Sequence, residues 1–226
     1  MEGYIEDGNI VIYRAKPTLL YLPKGDLAST GVNNINTDTE GNSTCERLEI
    51  YDYIYGPYEG NHIYKREYYA IPHAFRAKTA GLKRDFTAGK KYTLCLPFAV
   101  DAQAYGTFYT LKSYDSEEST LVFSSVTAAT TTPNQPYLFI PSADINELPG
   151  FTTNEESHNI AVATIADEDF EATTRIYDSN HPEKYIEMVG VAEYQSIPDG
   201  SYFFKDNKFW LTEEALTSPF RAYLRA

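Results

Sequence analysis

The chain has 226 residues, 42% of them hydrophobic, with a formal net charge of -13 and a pI near 4.7. That length builds a core without cross-links, as one large all-β domain or two small ones, and so acidic a chain repels phosphate backbones and anionic membranes unless it gathers a local basic patch. The densest basic points, Lys65-Arg66 and Lys83-Arg84, are isolated pairs; a sheet's solvent face accounts for them, and nucleic acid is not an expected partner.

Aromatics make up 15% of the chain, as 20 Tyr, 12 Phe and one Trp, a bias toward residues that suit pleated, half-buried surfaces. From the N-terminus, Asn9 to Tyr13 (NIVIY) and Thr18 to Leu22 (TLLYL) read as a hairpin or two sequential strands. Asp26 to Ser43 lacks periodicity and reads as a loop. Leu48 to Tyr55 (LEIYDYIY) alternates, with Leu48, Ile50 and Ile54 opposite Tyr51, Tyr53 and Tyr55, and the tyrosine enrichment continues through Tyr58, Tyr64, Tyr68 and Tyr69.

Lys90 to Phe98 (KKYTLCLPF), continued by Ala99-Val100, carries no charge on either alternating row beyond its two opening lysines. It is expected to be a central strand enclosed on both faces. Gly106 to Tyr114 and Leu121 to Val126 form the clearest hairpin, turned by residues 115–119. Pro136 to Ile140 (PYLFI) reads as another buried strand, residues 144–156 as a polar excursion, and Asn159 to Ile165, Ala172 to Tyr177 and Tyr185 to Tyr194 as strands. A second hairpin pairs Ser201 to Phe204 with Phe209 to Leu211. The only helical signal is Thr212 as an N-cap before Glu213-Glu214-Ala215-Leu216, enough for a single turn.

Strands at this density without normal helices predict an antiparallel β-sandwich, with an N-terminal sheet extension as a variant. The expected organisation is one all-β unit over 1–226, the alternative being a 1–80 subdomain followed by a sandwich over 81–226. No apolar run reaches the roughly 20 residues of a membrane span. Met1-Glu2-Gly3 lacks a signal peptide's features, so an exported protein would need a targeting segment outside this chain. Cys45 and Cys95 have no metal-binding spacing and read as buried thiols, with a single bridge as the alternative.

Several segments, in this order, are similar to the C-terminal all-β domains of secreted or surface proteins of Bacteroidetes, which often follow leucine-rich or other repeats. They are PTLLYLPKG, CERLEIYD, IPHAFRA, LKRDFTAGKKYTLCLPF, GTFYTL, PYLFIP, IPDGSYFFKDNKFW and FRAYLRA. The resemblance implies export or surface display and a non-catalytic adhesion, interaction or structural role. It transfers no site residue.

The residues themselves offer one recognition surface. Tyr51, Tyr53, Tyr55, Tyr58 and Tyr64 provide flat apolar area with hydroxyls, suited to a glycan or a protein partner; cross-strand pairing on an outer sheet face explains them more simply. The acidic groups around Asp115, Glu155-Glu156 and Asp167 to Glu171 read as solvated turns, since none has a calcium-loop spacing. His62, His73, His158 and His181 lack metal or triad partners in sequence. The expectation is therefore no cofactor, no metal, no catalytic residue, and a glycan or protein partner at the cell surface; a glycan-cleaving enzyme is the remote alternative.

Overall fold

A computed structural model describes residues 2–6, 9–14, 20–21, 35–36, 44–51, 71, 74–151, 158–160, 172–192, 195–213 and 215–226. They form strands and turns with no helix among them. In chain order the strands are β1 (Glu2–Glu6), β2 (Asn9–Arg14), β3 (Leu20–Tyr21), β4 (Ile35–Asn36), β5 (Thr44–Tyr51), β6 (Phe75–Phe86), β7 (Tyr92–Leu94), β8 (Gly106–Asp115), β9 (Thr120–Ser125), β10 (Tyr137–Pro141), β11 (Ile145–Pro149), β12 (His158–Ile160), β13 (Thr173–Tyr177), β14 (Tyr185–Gly190), β15 (Gln195–Ile197), β16 (Tyr202–Lys205), β17 (Lys208–Leu211), β18 (Ala215–Thr217) and β19 (Ala222–Arg225). The expected all-β sandwich is found: sheets pack face to face over shared apolar cores.

The longest strand, β6, organises one sheet. Its Arg76 to Lys83 stretch pairs with β5, while β11 and β12 pair with its two ends from the opposite edge. The β5 pairing with β6 is parallel, as is β3 with β4, whereas the other described pairings between these strands are antiparallel. Among the described residues the run 9–14 pairs with 2–6, and Leu20–Tyr21 pairs with Ile35–Asn36, so of the two readings of these runs they are sequential strands rather than one hairpin. Along β6, period-2 alternation sends Phe75, Ala77, Leu82 and Phe86 into the core, with a break at Thr79-Ala80 where the buried row changes phase. Lys83 reaches Glu147 of β11, whose other oxygen accepts from Arg47 at 2.7 Å. Arg84, next in sequence, faces the other way.

The second sheet has the order β7-β10-β8-β9. Phe108 of β8 and Phe139 of β10 stack at 4.4 Å, and Phe86 of β6 meets Phe139 edge-on at 5.5 Å, joining the two sheets. Leu48, Ile50, Leu94, Leu96, Phe98 and Leu148 complete this core, each buried side chain contributing about 1.5–3 kcal/mol. The segment expected to be the central strand is corrected in part. Only Tyr92–Leu94 is strand, and it ends the ladder; β10, the PYLFI strand, lies between β7 and β8. Enclosure nevertheless holds over residues 93–98 and at Val100, all of them buried, while Tyr92 and Ala99 are half-buried. The free side of β7 is covered by the approach to β19: Cys95 N donates to Phe220 O at 2.9 Å and Ala222 N to Thr93 Oγ1 at 3.2 Å.

The third sheet, β13-β14-β19-β16-β17, packs against the second through Leu111, Ile186, Met188, Ala222 and Leu224, with Phe123 of β9 stacked 6.4 Å from Phe209 of β17. Its outer face carries a buried carboxylate, Glu187, held between Arg175 of β13 (2.6 Å) and Arg225 of β19 (2.8 Å). Both expected hairpins form, as β8–β9 and β16–β17. The expected helical turn does not: Ala215–Thr217 is extended as β18 and pairs with β15, because an available strand partner outweighs a weak local N-cap signal. Cys95 is a free thiol rather than half of a bridge, and burial pushes it up to about 12.

Candidate functional site

A cleft of about 410 Å³ opens where the end of the second sheet meets the third. Three separate stretches build it. The first is the turn between β6 and β7, where Lys90 N donates to Thr87 O and Gly89 takes a φ of 72°, a left-handed value that glycine adopts without steric cost. That turn is anchored from outside, Gly89 N to Pro141 O and Ala88 N to Asp144 Oδ1, so Lys90 and Lys91 are presented from a fixed backbone.

The second stretch is the tip of the β16–β17 hairpin. Asp206 and Asn207 both have positive φ, 51° and 62°, the pattern of a two-residue turn that matches strand twist and that Asp and Asn tolerate. Asn207 Oδ1 accepts from Lys91 N at 2.9 Å, which ties this tip to the first stretch across the cleft mouth. Arg221, at the entrance to β19, is the third contribution. Between them lie Tyr92 and Phe204. The Arg84 guanidinium sits 4.8 Å from the centre of the Tyr92 ring, and the Tyr92 hydroxyl accepts from Thr87 N.

The electrostatic content of this cleft opposes that of the chain. Among the described lining residues, Arg84, Lys90, Lys91, Lys205 and Arg221 face one carboxylate, Asp206, in a protein of net charge -13. Like charges at the wall of a concave site focus a positive potential there. The Lys90, Lys91 and Lys205 side chains have no ion-pair partner among the described residues. The expectation that the chain gathers no basic patch is thus corrected. In sequence the five cations are spread from 84 to 221, and only strand alternation, which turns Lys83 to Glu147 and Arg84 to the cleft, hints at the separation of their roles.

Of the sequence-derived candidates, Tyr51 ends β5, and its side chain, with Tyr53, Tyr55, Tyr58, Tyr64, Tyr68 and Tyr69, lies outside the described residues. So do Lys65-Arg66, Glu155-Glu156, residues 167–171, His62, His73 and the side chain of His158. Asp115 is the turn residue expected of it, accepting from Glu117 N and Glu118 N at 3.0 and 2.9 Å. His181 bonds Glu117 at 3.0 Å, and that hydrogen bond holds its imidazole above the usual histidine value. No group of three His, Cys, Asp or Glu among the described residues is placed to hold a metal. No helix among them is long and apolar enough to cross a membrane.

Comparison with protein-family models, with curated proteins and with solved structures returns no match.

Proposed function

We propose that this chain is a non-catalytic interaction module of a secreted or surface-displayed bacterial protein, and that it meets an anionic partner in the basic cleft. The observation that carries the reading is the concentration of five cations around one concavity of a strongly acidic chain. Maintaining that arrangement requires two fixed turns and a hydrogen bond between them, from Lys91 N to Asn207 Oδ1. The volume falls within the range of small-ligand sites, about 300–1,000 Å³. A binding rather than hydrolytic role follows the resemblance, which implies a non-catalytic module. Secretion and an adhesion role follow the resemblance in the sequence segments.

Retention on dextran-sulfate beads tests this directly. Bulk charge predicts exclusion of so acidic a protein, so retention of the wild type and flow-through of Lys90→Glu/Lys91→Glu would support the cleft. Identical flow-through of both would overturn it.

A further inference from the structure

Resting on that reading of the cleft, we propose that its ligand is an acidic saccharide, a sugar carrying carboxylate or sulfate groups, and that Asp206 selects it over a phosphate chain. The wall is chemically mixed in a way a bare anion does not need. Lys90 and Lys91 supply compact point charges from one side, where the Arg84 guanidinium lies over the Tyr92 ring. On the facing hairpin tip the groups change character. Asn207 keeps its amide donors after its oxygen is occupied by Lys91 N, and Asp206 is an acceptor-only carboxylate.

A carboxylate facing the ligand space is unfavourable to a polyphosphate, whose oxygens are all acceptors and whose charge is dense. To a sugar it offers a partner for ring hydroxyls, which need acceptors as well as donors. Phe204, half-buried and braced edge-on by Phe209 at 4.9 Å, adds apolar area at the same tip, a surface suited to a pyranose ring and of little use to phosphate. A space of about 410 Å³ holds a short saccharide unit and leaves the rest of a chain outside.

Calorimetric titration of the full chain with oligogalacturonate, with its neutral methyl ester, with a sulfated chondroitin oligosaccharide and with tripolyphosphate tests the proposal. At least one of the two acidic sugars should bind about tenfold or more tightly than the neutral ester, as expected when one or two charge-assisted hydrogen bonds are lost. Which of the two binds identifies the acidic group. Asp206→Asn keeps a residue that tolerates the left-handed turn, so the hairpin should survive; it should weaken the sugar several-fold while strengthening tripolyphosphate. Lys90→Ala/Lys91→Ala should weaken every anion. If tripolyphosphate binds as well as either sugar, or Asp206→Asn strengthens all anions alike, the saccharide assignment falls while the anionic cleft stands. If Lys90→Ala/Lys91→Ala changes no titration, or nothing binds, the cleft itself is not the site and both readings fall.

Discussion

Glu187 shows how a single residue can be both buried and charged. It is 1% exposed, and burial alone would raise its pKa; the hydrogen bonds from Arg225 and Arg175 and their charges outweigh that and hold it below its ordinary 4.5. Each arginine is nearly half exposed, so its contribution is screened by water. Glu187→Gln preserves shape and removes the charge, and should cost about 1–2 kcal/mol at neutral pH. Because the folded-state value is depressed, the stabilisation is present above the unfolded value and is lost as pH falls through the folded one. The gap between wild type and variant in urea denaturation should therefore be open at pH 7 and close on acidification. A gap independent of pH would mean that the carboxylate's charge contributes nothing.

At the scale of elements, the segment from β7 to Val100 separates two properties that the sequence merges. Absence of charge on both faces reports enclosure, which the structure has, and not ladder position, which is terminal. Leu96 lies beyond the strand in irregular backbone yet is 6% exposed, so Leu96→Ala should cost about 2–5 kcal/mol. Leu211, 62% exposed on the outermost strand β17, should tolerate alanine within about 0.5 kcal/mol. Equal losses at both positions in chemical denaturation would contradict this placement. The two hairpins and the PYLFI strand were legible because their signals are local: a polar turn, or an apolar run between breakers. β6 was not, because its alternation changes phase at Thr79-Ala80 and Gly81 interrupts it; that strand is held by neighbours on both edges rather than by its own pattern. The cleft was illegible for a stronger reason. Its cations are brought together by the third sheet docking on the second, a contact that no local periodicity encodes.

For the whole molecule, the cleft's positive potential sits inside a field of opposite sign, and the two respond to salt differently. Fixed cations touching a bound anion act at a few ångströms and are screened only in part, whereas the excess negative charge spread over the surface acts at longer range and is largely screened beyond a Debye length of about 10 Å at 0.1 M ionic strength. Added salt therefore weakens attraction at the site and, at the same time, relieves repulsion of the approaching ligand. Binding of an acidic oligosaccharide should then fall with salt less steeply than the number of cations in the cleft implies. In Lys90→Ala/Lys91→Ala the short-range term shrinks while the long-range term grows, so the residual affinity should lose its salt dependence or rise with salt. Calorimetric titrations across a salt series read both slopes. A wild-type slope as steep as that of a basic protein with the same contacts, unchanged in the variant, would show that the acidic surroundings do not reach the cleft.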